Sequence, residues 1–387
     1  MTAEVDTQLD VNVSESIIDC SVLVPVLNEG RYVEAALAAM RAQRFDGHVE
    51  FIFADGGSTD RTRAILESWA QRDPRLRIFD NPNRTVTSGL NVALGQARGR
   101  WVARMDAHTR YGDDYLALGI ARLRAGGTRW VSGPPLPEGH GRISRAVALA
   151  LGTGLGRSGS RKWARPGVPS DAESELDSGV FAGVWERRTL LEYGGWDERW
   201  RVNEDSELAG RFLERGEHLI CLPAMIATYT PRNSLIGLWR QYLAYGKYRV
   251  KTARRHPCTL RRQHLIAPVL VLDATMAICA PSRWRRIARL GLGSYGLVLG
   301  REGVRALPYA EHRSDAALVP VALATMHLAW GVGTWLGIAR FGAPIEAVGR
   351  IARTRTSVAD DASRSDDELV YSPSLKRRAG SGDAPGR

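Results

Sequence analysis

Between Ile17 and Asp106, short runs of β-branched and other apolar residues alternate with segments of helical spacing. The runs are "DCSVLVPVLN", "VEFIFAD", "LRIFDN" and "GRWVARMD". Between them lie "EGRYVEAALAAMRAQ", with Tyr32, Ala36, Leu37 and Met40 on one face, then "STDRTRAILESWAQR", with Ser58 or Thr59 as its expected N-cap, and "VTSGLNVALGQA". Apolar strands that alternate with helices bury both faces of a sheet, which predicts an α/β domain with a mainly parallel central sheet. In such sheets ligands bind beyond the carboxyl ends of the strands. Those ends carry Asn28–Glu29, Asp55–Gly56–Gly57 and Asp106–Ala107–His108.

The chain has 387 residues, enough for two or three units with sizeable cores. The reading divides it into a polar N-terminal stretch (1–16), an α/β domain (17–260), an apolar, Arg-rich helical region (261–345) and a polar tail (353–387) expected to be disordered. Residues 133–175, rich in Gly, Pro, Ser and Arg, predict loops: a lid or acceptor-binding element, or a plain insert. The segment "VNEDSELAGRFLERG" predicts a helix starting near Asn203–Asp205. Beyond Pro257 the apolar runs 264–280, 290–300 and 316–339 appear. The last has 24 residues without Asp, Glu, Lys or Arg and as a helix reaches roughly 36 Å, enough for a bilayer core. The run 264–280 contains Asp273 and is a marginal span, and in-plane or re-entrant segments for 264–300 fit the arginines of the loop 282–315 better, so the number of spans stays open.

Net charge is +11, and the excess is local: 231–313 holds 16 basic and 3 acidic residues. A basic belt beside apolar runs favours an anionic membrane surface over nucleic acid, and no nucleic-acid partner is expected. The plain alternative is a solvated Arg-rich face. The cysteines Cys20, Cys221, Cys258 and Cys279 are scattered, with no CxxC and no metal-ligand spacing, which points to reduced thiols. The stretch "MTAEVDTQLDVNVSES" lacks the basic and apolar regions of a secretory signal, so the first domain is expected to face the cytoplasm at the plasma (inner) membrane.

Three carboxylate clusters carry the candidate chemistry. Asp55 ends the second strand, and Gly56 and Gly57 allow close backbone approach before a helix N-terminus that could face phosphate. Period-two alternation puts Asp106 and His108 on one side, where they could share a divalent ion. Glu204 and Asp205 open a helix. Each has an ordinary explanation as turn chemistry or helix capping when taken alone.

Taken in order, "VLVPVLNEG", "FADGGSTDRT", "NPNRTVTSGLNVALGQARGRWVARMDAH" and "GGWDERWRVNEDSELAGRFLERG" resemble the family 2 glycosyltransferases. These are inverting enzymes with the nucleotide-diphospho-sugar transferase fold called GT-A. The resemblance covers about residues 19–260. It extends to the exopolysaccharide glucosyltransferases of the succinoglycan type, which share the "DAH" variant, the "NED" segment and a motif like "RNSLIGLWRQYLAYGKYR".

The resemblance implies a GT-A domain followed by a membrane-associated helical region. It places Pro25, Asn28, Glu29, Asp55 and Gly56 around the nucleotide-sugar donor. Asp106 and His108 stand at the family's Asp-x-Asp motif, which holds Mg²⁺ or Mn²⁺ against the diphosphate. Asp205 is the implied general base, with Glu204 beside it. Arg240, Gln241 and Arg249, with Tyr245 and Lys247, fall where related processive enzymes carry Gln-x-x-Arg-Trp. No Arg-Trp follows Gln241 here, so contacts to acceptor or lipid phosphate compete with plain helix packing. The implied donor is a UDP-sugar, and the implied acceptor is polyprenyl-linked or a saccharide. A non-catalytic membrane scaffold of the same fold and a nucleotide-sugar hydrolase are the rival functions.

Overall fold

The computed structural model describes residues 18–157 and 172–353. The expectations for 1–16, for the centre of the 133–175 stretch and for the tail beyond 353 fall outside the described residues.

Among the described residues the strands are β1 (Cys20–Val26), β2 (Val49–Asp55), β3 (Leu76–Asp80), β4 (Trp101–Arg104), β5 (Thr109–Tyr111), β6 (Trp130–Ser132), β7 (Pro135–Pro137), β8 (Ser174–Glu175), β9 (Gly183–Glu186), β10 (Leu219–Cys221) and β11 (Ala227–Tyr229). The helices are α1 (Val33–Arg41), α2 (Thr62–Ala70), α3 (Val86–Gln96), α4 (Tyr115–Arg124), α5 (Arg142–Gly152), α6 (Gly154–Arg157), α7 (Arg187–Glu192), α8 (Glu204–Glu214), α9 (Leu235–Arg255), α10 (Ile266–Cys279), α11 (Ser282–Ala306), α12 (Arg313–Phe341) and α13 (Ile345–Arg353).

The central sheet runs β3-β2-β1-β4-β9-β6-β10-β8, with a small sheet β5-β11-β7 beside it. The first four strands are parallel. β9 runs against both β4 and β6, β10 is parallel to β6, and β8 is antiparallel to β10, so the far half of the sheet is mixed. Alternation along the strands sorts the core. Val22, Val24, Val26, Phe51 and Phe53 pack on one face, while Leu23, Ile52 and Ala54 pack on the other with Leu90, Ala93 and Leu94 of α3.

Two local expectations change. α2 begins only at Thr62 with no side-chain cap, because Ser58 is turned toward Asp55 instead. Within the stretch expected to be loop, "RISRAVALALG" forms α5: Ile143, Val147, Ala150 and Leu151 recur at helical spacing and pack into an apolar cluster with Val319, Leu323 and Met326 of α12.

α12 is the axis of the helical part and packs against α9, α5, α10 and α11. Its contact with α9 is close. A Cβ on Gly333 would stand 2.1 Å from the Leu243 carbonyl oxygen, and one on Gly246 would stand 2.1 Å from that of Trp330. Small residues therefore set the approach of the two backbones. Arg145 of α5 donates to the fully buried Asp315 at 2.7 Å and pins the start of α12 to the α/β domain. The helical layer thus draws in α5 and α9 from before residue 260 as well as the segments after it. By length and apolarity the helical stretches Arg262–Cys279 and Arg313–Phe341 could each cross a membrane.

Candidate active site

The described chain has three non-glycine residues with positive φ: Asn28 (58°), Arg84 (55°) and Asn203 (61°). Asn28 follows β1, Arg84 follows β3 and Asn203 precedes α8. All three flank elements that end or begin at the sheet edge where ligands were expected, and such strained backbone tends to gather at functional sites.

The first corner of the rim lies between β1 and β2. Asp55 is buried, and its Oδ1 accepts from the Ser58 amide at 3.0 Å and the Ser58 hydroxyl at 2.6 Å. Arg63 Nη1 stands 3.7 Å from Asp55 Oδ2 and donates to Asp80 at 2.7 Å. Asn28 clasps the same turn: its amide donates to Ser58 Oγ at 2.9 Å, and its Oδ1 accepts from the Thr59 amide at 2.8 Å. Pro25 sits inside β1, paired in register with Ala54. The two glycines differ. Gly56 is buried with ordinary φ and room for a Cβ, whereas Gly57 adopts φ +74° and is the one the turn requires.

The second corner lies past β4, on the other side of β1 and about 10 Å away at two strand spacings. Asp106 is buried. Arg104, two residues earlier on the same side of the strand, grips it with Nε at 2.9 Å and Nη2 at 3.1 Å. The Asp106 amide donates to the Tyr111 hydroxyl at 2.8 Å. Arg104 Nη1 then reaches across to Glu204 Oε1 at 3.1 Å, joining the end of β4 to the start of α8. Burial opposes the charge of Arg104, but the Asp106 and Glu204 carboxylates outweigh it and hold the guanidinium firmly protonated. Burial also raises the Glu204 carboxyl pKa, opposed by Arg104 and reinforced by Asp205. Sequence reasoning missed Arg104. The available signal was a cation inside an apolar strand, in phase with Asp106.

His108 is half-exposed, and its Nδ1 lies 3.0 Å from Glu29 Oε1. That hydrogen bond raises the imidazole pKa against the effect of burial. The ion pair therefore adds stability below the ordinary histidine pKa of about 6.5 and loses it as pH rises through the raised value.

Among the described residues no three His, Cys, Asp or Glu side chains form a metal-ligand cluster. Asp106 and His108 supply one oxygen site and one nitrogen site. A carboxylate holding two N–H bonds keeps further lone pairs, and His108 Nε2 makes no hydrogen bond among the described residues. That pair fits a divalent cation whose remaining ligands are phosphate and water.

The third corner is α8. Asn203 is its N-cap in left-handed conformation, and its Nδ2 donates to the Tyr245 carbonyl of α9 at 3.2 Å. Among the described residues Asp205 Oδ1 accepts only the neighbouring Ser206 amide, at 2.8 Å. On α9, Gln241, Tyr245 and Arg249 recur every four residues and share a face. Gln241 Nε2 donates to the Tyr245 hydroxyl at 3.0 Å, and Arg249 Nη2 donates to Ser206 Oγ at 3.2 Å. Burial and the charge of Asp205 push the Tyr245 pKa to about 12, so it stays a neutral phenol. Arg240 is exposed, one position round the helix, and is not brought into this group.

The profile described as Glycosyl transferase family 2 matches residues 21–149, which hold the first two corners. The succinoglycan biosynthesis protein ExoA of Rhizobium meliloti is 29% identical over 330 residues, 81% of this chain and 93% of that protein. The uncharacterized glycosyltransferase EpsJ of Bacillus subtilis is 30% identical over 97 residues, covering 25% of this chain and 26% of that one. Among solved structures, the mannosyltransferase PcManGT of Pyrobaculum calidifontis, in complex with GDP-Man and Mn²⁺, superposes with a TM-score of 0.52 at 20% identity over 81% of this chain and 90% of that one.

Proposed function

We propose that the chain is a family 2 glycosyltransferase of exopolysaccharide or cell-envelope glycan synthesis, and that it moves a hexose, glucose first among candidates, from a nucleotide-diphospho-sugar to a hydroxyl of a lipid-linked or saccharide acceptor, with inversion at the anomeric carbon. The observation that carries this reading is the Arg104 bridge, which ties the donor-side carboxylate Asp106 to the helix bearing Asp205.

In this reading Pro25, Asn28, Glu29, Asp55 and Gly56 line the nucleotide end. Asp55, held by Ser58, keeps an oxygen for the nucleoside. Asp106 and His108 would hold a divalent cation, Mg²⁺ or Mn²⁺, which would supply neutralisation of charge on the diphosphate. The Pyrobaculum mannosyltransferase, of like fold, was solved with Mn²⁺ and a GDP-sugar, so GDP-hexoses belong beside UDP-hexoses in the assay. Asp205 accepts the proton of the attacking hydroxyl, a role worth about 10²–10⁴-fold in rate. Glu204, engaged by Arg104, is a positioning group. Attack from the face opposite the nucleotide gives a β-linkage from an α-linked donor.

Membrane association follows from the helical layer. Ile266, Val269 and Ile278 of α10 and Trp284, Ile287, Leu290 and Leu297 of α11 are exposed. Arg283, Arg285, Arg286 and Arg289 lie along the same helix α11. An apolar surface edged with arginines suits an anionic bilayer, with the catalytic domain on the cytoplasmic side.

The test supplies labelled nucleotide-hexoses and membranes carrying lipid-linked glycans to the purified full chain. Label entering the lipid extract supports transfer. Label released only as free sugar, with or without acceptor, would show a hydrolase.

A further inference from the structure

At the sheet edge away from Asp106, β4 and β6 begin and β9 ends. A cavity of about 180 Å³ opens there. Arg100, Arg124, Arg129 and Arg188 line it against one carboxylate, Glu186, with Trp101 in its wall. Asp106 is five residues along the chain from Trp101, about 16 Å at the rise of a strand, so the cavity is no part of the catalytic rim. Separate elements supply the arginines. Arg100 precedes β4, Arg124 ends α4, Arg129 precedes β6 and Arg188 lies in the first turn of α7.

The carboxylates nearby account for only part of this charge. Arg129 is satisfied, by Glu192 at 3.0 Å and Glu217 at 3.2 Å. Arg100 stands 3.5 Å from Glu186. Arg124 and Arg188 are exposed, and among the described residues neither makes an ion pair or a side-chain hydrogen bond. Arg100 and Arg124 also lie over one indole, with Cζ 4.9 Å and 5.8 Å from the centroid of the Trp101 ring. Stacking of this kind fixes the planes of the guanidiniums and leaves their N–H edges free. Two like charges gathered on one ring repel each other, and an anion between them removes that repulsion.

A single exposed arginine is simply solvated. Three guanidiniums from three elements around one cavity, with one carboxylate among them, concentrate positive potential where an anion can sit. A lone carboxylate fills one guanidinium fork. A diphosphate presents oxygens on several sides and carries two or more charges, which suits three forks. The volume sets the size of the group. Pockets that enclose a whole drug-sized ligand begin at roughly 300 Å³, so this one takes a diphosphate and leaves anything attached to it outside.

We propose that Arg100, Arg124 and Arg188 form an anion site for a diphosphate group, supplied as free pyrophosphate or as the phosphate end of a nucleoside diphosphate. The site is separate from the donor's place at Asp106 and does not rest on the transfer reaction.

The experiment measures binding to the full chain in detergent by calorimetry. It is run in EDTA, where the Asp106 corner has no cation to hold a diphosphate. The probes are pyrophosphate, ADP and citrate, the last a polyanion built from carboxylates. Pyrophosphate is expected to bind, and citrate at least tenfold more weakly. Tighter binding of ADP identifies a nucleotide as the source, and equal or weaker binding identifies free pyrophosphate; each is a form of the proposed site. Replacing both Arg124→Gln and Arg188→Gln is expected to weaken pyrophosphate at least tenfold, and Arg124→Lys with Arg188→Lys to recover part of that. Both side chains are exposed, so these variants should melt at the wild-type temperature, and Mn²⁺-dependent UDP binding should stay within twofold. Should the double variant fail to fold, Arg188→Gln alone is expected to weaken pyrophosphate several-fold. No binding by the wild type, equal affinity for citrate, unchanged affinity in the folded variants, or a parallel fall in Mn²⁺-dependent UDP binding would each overturn the proposal. No sugar is transferred in the assay, so its failure is read separately from any failure of the glycosyltransferase reading.

Discussion

Arg104 and Glu204 are one hundred positions apart and meet at 3.1 Å, with Asp106 held by the same guanidinium. One buried cation therefore serves two carboxylates, one from a strand end and one from a helix start. Removing it should be costly, since both carboxylates would stay buried without their partner. Arg104→Met is expected to lose on the order of 3–5 kcal/mol of stability by urea unfolding. Arg104→Lys keeps the charge without the fork and should recover only part. Wild-type stability in Arg104→Met would contradict the bridge.

His108 should report its partner directly. In an NMR titration of the imidazole, Glu29→Gln is expected to lower the His108 pKa, because the hydrogen bond to Glu29 is the largest cause of its rise. In transfer assays, His108→Asp should shift activity toward Mg²⁺, since a second carboxylate suits the harder ion, and His108→Ala should reduce Mn²⁺ activation. Identical metal profiles in all three proteins would remove His108 from the cation site.

The contact between α9 and α12 depends on absent side chains. Gly333→Val forces a Cβ to within 2.1 Å of the Leu243 carbonyl oxygen and should cost about 1–3 kcal/mol or more in a thermal melt of the detergent-solubilised protein. Gly296→Ala on α11, where a Cβ meets nothing within 4 Å, should be neutral or gain up to about 1 kcal/mol. Equal effects at the two positions would argue against close packing there.

The α/β alternation and the rim positions Asn28, Asp55 and Asp106 were legible because burial on both sheet faces imposes a local pattern, and strand ends follow from it. The start of α8 at Glu204 was legible from its acidic first turn. The partners of those residues were not. Arg104 looked like a stray cation in a strand until Glu204 was brought to it from one hundred residues away. α5 was masked by the glycines and prolines around it, although its own residues have helical spacing. Apolarity alone marked α12 as a spanning candidate, whereas its glycines are what let α9 approach. Gly56 and Gly57 could not be told apart in the sequence, although the turn depends on Gly57, because a φ angle leaves no mark in a pair of identical residues.

The most direct test of the account is transfer by Asp205→Asn. The amide keeps an oxygen for the Ser206 N–H, so the first turn of α8 should survive. The account predicts unchanged nucleotide-sugar binding and a fall of about 10²–10⁴-fold in sugar transfer to the lipid fraction. Transfer at the wild-type rate would contradict it.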